Sequence, residues 1–107
     1  MEITTTCSNG TDAGTTTAAY VAASTIKDTK GLIVNINNLS ATATMYYKID
    51  GYRSSSPKCV AEVIKAETGL GSATVAQETV TSPFAKVVIS VKYNSGADLY
   101  QNDWISW

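Results

Sequence analysis

Apolar and polar residues alternate along two segments of the chain, from Ala41 to Gly51 and from Lys86 to Tyr93. A β-strand sends successive side chains to opposite faces, so alternation predicts strands with one buried face and one wet face. The apolar positions of the two segments are therefore predicted to share one core. These positions are Met45, Tyr47, Ile49, Val87, Ile89 and Val91.

Further strands are predicted at 16–23, 32–36, 74–80 and 97–107. Ile33 lies opposite the apolar face of its strand, which indicates burial on both sides. Turn signals occur at Asn9-Gly10, at Asp50-Gly51 and at Asn94-Ser95-Gly96, the last predicting a hairpin. The stretch 57–68 is ambiguous, because Ser56-Pro57 favours a helical start whereas the surrounding pattern favours a strand over 60–67. We favour the strand.

Short strands at intervals of about ten residues, joined by turn residues, are typical of an all-β protein. We therefore predict an antiparallel β-sandwich, either immunoglobulin-like or jelly-roll-like. Residues 1–17 are rich in Thr and of low complexity, and are predicted to form an extended N-terminal arm or an edge strand. Residues 18–107 are predicted to form a single β-sandwich domain.

The composition narrows the classes of partner. Fifteen Thr and eleven Ser supply most of the polarity, whereas charged residues make up 16% and the formal net charge is −1. A surface without a basic footprint argues against nucleic acid and against an acidic membrane. No apolar run approaches the roughly 20 residues of a membrane span. The start of the chain lacks the regions of a signal peptide, so we expect synthesis in a cytoplasm without general secretory export.

The residues that usually carry chemistry are scarce. The chain has no His, which removes the commonest general base and metal ligand. Cys7 and Cys59 are the two cysteines, and in a reducing compartment they are expected to stay free thiols. The carboxylates are spread along the chain, and nothing favours any two of them as a catalytic pair. We therefore expect a protein that is not an enzyme and has no catalytic residue, cofactor or metal.

Aromatic residues are concentrated near the C-terminus, at Tyr100, Trp104 and Trp107. Because termini are normally frayed, two tryptophans there require burial or a partner. One interpretation is that a ring closes the open end of the sandwich, and the other is an intersubunit or ligand contact. Carbohydrate binding through a stacking platform is an alternative. The hypothetical interface comprises Ile3, Thr4, Thr5, Thr6, Tyr100, Trp104 and Trp107.

Four runs of the sequence carry a resemblance to a known class of protein. These are Met45-Tyr46-Tyr47-Lys48-Ile49-Asp50-Gly51, Ile64-Lys65-Ala66-Glu67-Thr68, Ser82-Pro83-Phe84-Ala85-Lys86-Val87-Val88-Ile89-Ser90-Val91-Lys92, and Trp104-Ile105-Ser106-Trp107. Together they resemble small phage and prophage virion proteins over residues 30–107.

The resemblance implies a structural role on a virion, such as a capsid decoration protein or a small head or tail component. It also implies a location on the virion after synthesis in the host cytoplasm. The expected partners are further copies of the chain, as a homo-oligomer, or a viral capsid or tail protein. The alternative function is a carbohydrate-binding module that uses the C-terminal aromatic residues.

Overall fold

A computed structural model describes residues 7–94 and 96–107, and its regular elements are eight β-strands. The strands are β1 (Ser8–Thr16), β2 (Val21–Thr29), β3 (Leu32–Asn38), β4 (Met45–Tyr52), β5 (Glu62–Leu70), β6 (Val75–Val80), β7 (Phe84–Tyr93) and β8 (Asp98–Ser106). All their pairings are antiparallel. The prediction of an all-β antiparallel sandwich is confirmed.

The strand order distinguishes between the two predicted kinds of sandwich. Sheet A has the order β1-β8-β3-β6 and sheet B the order β2-β7-β4-β5. The chain crosses from one sheet to the other at every connection except β4–β5, which joins neighbouring strands of sheet B. Two four-stranded sheets wound in this order form a jelly roll. The topology is therefore jelly-roll-like and not immunoglobulin-like.

The core lies between the two sheets. Each predicted core residue is buried, and Met45, Ile49 and Ile89 are fully inaccessible to solvent. From sheet A, the inward residues of β3 complete the same cluster. The alternating burial of β3 and β4 follows the alternation of their sequences, because a pleated strand buries every second side chain.

The ambiguous segment is a strand, since β5 covers Glu62–Leu70. Two of the predicted turns are wrong, because Asn9-Gly10 lies inside β1 and Asp50-Gly51 inside β4. At Gly51 the glycine serves close packing: a Cβ there would lie 2.5 Å from the Phe84 ring. The glycine at position 51 is therefore explained by the close approach of the Phe84 ring and not by a turn.

The predicted strand at 16–23 is also wrong. β1 ends at Thr16 and β2 begins at Val21, so the chain changes sheets within that stretch. The predicted hairpin at 94–96 is wrong as well, because β7 and β8 belong to different sheets; Ser95 itself lies outside the described residues. Both errors have one cause: the jelly roll passes from one sheet to the other at these places, where the local sequence predicts a continuous strand at 16–23 and a hairpin at 94–96.

Candidate assembly site at the terminal end of sheet A

The first and last described residues of the chain meet at one end of sheet A, which we call the terminal end. Ser8 of β1 is the register partner of Ser106 of β8, and Ser106 is also the partner of Leu32. Cys7 is exposed and directly precedes this row. The predicted interface residues Ile3, Thr4, Thr5 and Thr6 lie outside the described residues.

Trp107 is fixed at the terminal end by its backbone. Its N–H donates to the carbonyl of Gly31 at 3.1 Å, and its carbonyl accepts from the N–H groups of Lys30 at 2.6 Å and Gly31 at 3.3 Å. The indole ring lies directly against Gly31, where a Cβ would overlap a ring carbon. The side chain is outside the core cluster and Trp107 is 41% exposed. An ordered, half-exposed tryptophan therefore marks this end of the sheet.

Trp104 and Tyr100 have a different environment, because both pack against the core between the sheets. A Cβ at Gly10 would lie 2.6 Å from the Trp104 ring, and a Cβ at Gly14 would lie 2.9 Å from the Tyr100 hydroxyl. The indole Nε1–H of Trp104 also donates to Asp12 Oδ2 at 2.9 Å. These rings cover the inward side of β1 and attach this edge strand to β8.

The outward side of sheet A carries hydrogen-bonded polar side chains. The Asp103 carboxylate accepts from Thr11 Oγ1 at 2.9 Å, from Gln101 Nε2 at 3.2 Å and from Asn37 Nδ2 at 3.4 Å. Gln77 Nε2 donates to Asn35 Oδ1 at 3.1 Å. A groove of about 530 Å³ runs over part of this surface. Its lining comprises Asn9, Gly10, Thr11, Ile33, Asn35, Asp103, Trp104 and Ile105, so the edge of the predicted site residue Trp104 reaches this groove.

This polar surface was missed by the sequence analysis. A signal was present, because Ile33, Asn35 and Asn37 share one parity, as do Gln101, Asp103 and Ile105. Which strand lies beside which is decided by the fold, so the two sets could not be joined into one surface from the sequence alone.

The outward side of sheet B is charged and aromatic. Lys48 and Lys92 lie over the Tyr20 ring, with the ammonium nitrogens 4.6 and 4.7 Å from its centroid. Lys92 also pairs with Glu67 at 3.2 Å. The Tyr20 hydroxyl donates to Glu67, and this bond, followed by the one from Lys92, lowers the pKa of the carboxyl. The two lysines, Tyr20 and Glu67 of this surface are therefore paired with one another within the chain.

Both cysteines are free thiols in the single chain, Cys7 exposed and Cys59 half-buried. Over residues 7–94 and 96–107, no three His, Cys, Asp or Glu side chains are grouped as metal ligands would be. Within the same ranges there is no helix with the length and apolarity needed to cross a bilayer.

Comparison with known proteins places the chain by its fold alone. No protein-family model matches it, and no curated protein is similar in sequence. The crystal structure of PirA is similar with a TM-score of 0.50 and 14% identity, over 98% of this chain and 95% of that one. A structure of Bacillus endospore appendages, a family of disulfide-linked pili, has a TM-score of 0.51 and 8% identity, over 94% and 86% of the two chains.

A third structure is the T13 viral particle of IBDV, with a TM-score of 0.49 and 7% identity. The match covers 94% of this chain and 31% of that one.

Proposed function

We propose that this chain is a non-enzymatic structural subunit that assembles through its termini, on copies of itself or on a shell lattice. In its specific form it is a virion component, either a capsid decoration protein or a small head or tail protein, as its sequence resemblance implies. One observation carries the proposal: Cys7 and Ser8, the first described residues, lie at the end of sheet A where Trp107 is held by backbone hydrogen bonds and is half-exposed.

The physical argument concerns the free energy of ordering. An arm that becomes ordered on a partner loses conformational entropy, and burial of an aromatic ring supplies the compensating stabilisation. The backbone of Trp107 is held by hydrogen bonds on both its N–H and its carbonyl, and its ring is positioned against Gly31. A ring that is already positioned loses less rotamer freedom on binding, so more of its burial contributes to affinity.

The endospore-appendage protein supports assembly as the role of such a fold. That family forms disulfide-linked pili, so a chain of similar fold works there as the repeating unit of a polymer. The present chain has two free thiols, and Cys7 lies exposed next to the terminal end. The same assembly role applies whether the lattice is a shell or a filament.

The proposal is tested by removing each half of the terminal site. Deletion of residues 2–6 and the substitution Trp107→Ala should each weaken self-association, and circular dichroism should show the fold retained. Tyr52→Ala, which truncates an aromatic residue on sheet B, is the matched control and should associate like the wild type. Sedimentation velocity over a concentration series measures the association. Unchanged association of both terminal variants would contradict assembly through the termini.

The alternative function is carbohydrate binding. Its predicted platform is divided by the fold, since Tyr100 and Trp104 pack against the core and Trp107 is half-exposed. The groove with the Asp103 carboxylate and Asn35 is the feature that favours this alternative, because sugars are bound by such groups beside apolar surface. A glycan array tests this alternative. Carbohydrate binding would be favoured over assembly if the chain binds a specific sugar, loses that binding in Asp103→Asn, and is monomeric at every concentration.

A further inference from the structure

The outward surface of sheet A, which we call the A face, carries no Lys or Arg. Among the outward residues of its four strands, all in the described part of the chain, Asp103 is the single charged one, because Asp12, Glu78 and Asp98 lie at positions of the opposite, inward parity. The A face consists of Asn9, Thr11, Ala13, Thr15, Ile33, Asn35, Asn37, Val75, Gln77, Thr79, Leu99, Gln101, Asp103 and Ile105. The corresponding surface of sheet B carries four lysines. Depletion of charge at the centre is the compositional feature of protein–protein interfaces.

The two central strands of the A face, β3 and β8, match each other row by row. The register pairs Ile33 with Ile105, Asn35 with Asp103, and Asn37 with Gln101. One row further, the Leu39 N–H donates to the Leu99 carbonyl at 3.3 Å, which sets two exposed leucines side by side. Each row therefore holds side chains of like character, with apolar rows at the two ends and polar rows between them.

From this pattern we propose that a second copy of the chain stacks on the A face, related by a twofold axis that runs along the strands between β3 and β8. Such an axis lays β8 of one copy over β3 of the other and keeps every row in place. Ile105 then meets Ile33 of the partner copy, and Asp103 meets the partner copy's Asn35. The inference rests on the proposed function, self-assembly, and specifies the surface that carries it.

The hydrogen bonds of the polar rows fit this contact. Because Asn35 Oδ1 already accepts from Gln77, its Nδ2 group is the donor that it presents to a carboxylate of the partner copy. Asp103 already accepts from Thr11, Gln101 and Asn37 within its own chain. A carboxylate with donors around it costs less to bury than a bare one, since its lone pairs stay satisfied.

The size of the A face sets the strength of the contact. Four strands at about 4.8 Å spacing, over about eight residues at about 3.4 Å each, span roughly 19 by 27 Å. Stacking two such surfaces buries on the order of 1,000 Å², the lower limit for a specific interface. Contact of this size is reversible by itself and becomes strong in a lattice in which the terminal site also engages.

The apolar rows supply the test. Ile105 is 43% exposed and Ile33 is partly exposed, so neither is required for a closed core. Ile105→Lys and Ile33→Glu should each raise the dissociation constant at least tenfold, because each introduces a charge that meets an isoleucine of the second copy. Val63→Lys is the matched control at a valine of sheet B that is 68% exposed, and should associate like the wild type.

An equimolar mixture of the Ile105→Lys and Ile33→Glu chains tests the register. In a mixed pair the lysine of one copy meets the glutamate of the other, while the second contact of the same row stays isoleucine on isoleucine. Sedimentation should therefore show association in the mixture and monomers in each separate sample. Unfolding curves at low concentration confirm that each variant is folded. If one is not, Leu99→Lys, in the leucine row of the same face, takes its place in the test for loss of association, and Leu39→Glu is its partner in the mixture.

The possible results separate this inference from the proposed function. Association of the wild type, its loss in both variants and its recovery in the mixture support the stacked pair. If the wild type associates and the A-face variants do so equally well, the inference is overturned while the assembly function stands. No recovery in the mixture overturns the twofold register. A wild type that is monomeric at every concentration overturns the inference and the self-association form of the proposed function, and leaves binding to a shell lattice as the form that stands.

Discussion

Ile89→Ala is the substitution whose effect the structure predicts most directly. Ile89 is fully inaccessible in the centre of β7, between its register partners Ser24 of β2 and Ile49 of β4. The substitution removes three carbon atoms, which at about 0.8 kcal/mol each loses about 2.4 kcal/mol of burial. A residual cavity of about 60 Å³, at about 24 cal/mol per Å³, adds about 1.4 kcal/mol. The free energy of unfolding should therefore fall by about 4 kcal/mol.

Urea unfolding followed by tryptophan fluorescence measures this loss, because Trp104 packs against the same core. The experiment uses a dilute sample, since association would make the apparent stability depend on concentration. Val63→Ala, at an exposed aliphatic residue of sheet B, is the matched control and should change the stability by less than about 0.5 kcal/mol. A loss of under about 0.5 kcal/mol for Ile89→Ala would refute the assignment of faces, because cavities at buried isoleucines cost about 2–5 kcal/mol.

Two further predictions concern Tyr47 and the thiols. Burial, followed by the hydrogen bond of its hydroxyl to Glu78, raises the pKa of Tyr47 to about 12. An unfolded tyrosine ionises near pH 10, so this contribution to stability is complete below about pH 10 and is lost as the pH rises towards about 12. Unfolding of Tyr47→Phe across this range should lack that loss, and equal slopes would contradict the assignment. Mass spectrometry without reductant should find Cys7 and Cys59 unlinked within one chain; a peptide joining them, lighter by two hydrogens, would show the opposite.

The sequence by itself determined the class of fold and the composition of the core. Alternation fixes the face to which each side chain points, because the side-chain period of a strand is two residues. Met45, Tyr47, Ile49, Val87, Ile89 and Val91 were therefore identified as one core from parity alone, and their burial confirms it. The pattern of the surrounding strands also favoured a strand over 60–67, and β5 at Glu62–Leu70 confirms that choice against the local helical signal at Ser56-Pro57.

The turn predictions were wrong at two glycines whose role is to contact an aromatic ring far away in the sequence. Gly10 and Gly51 predict turns, but both lie in strands, where they make room for the Trp104 ring and the Phe84 ring respectively. Trp104 is separated from Gly10 by 94 positions in the sequence, and Phe84 from Gly51 by 33. Nothing in the neighbouring residues reports such a contact, because it exists only after the strands have paired.

The tertiary structure decided which strands are neighbours, and with that the candidate sites. Strand pairing joins Ser8 to Ser106, which brings the first and the last described residues of the chain to one end of sheet A. It also places Asn35 beside Asp103, which creates the A face from two segments that are far apart in the chain. The sequence specifies the side of each strand on which a residue lies, whereas the order of strands in a sheet depends on the burial of the whole core. The surfaces proposed for assembly could therefore be recognised only in the folded chain.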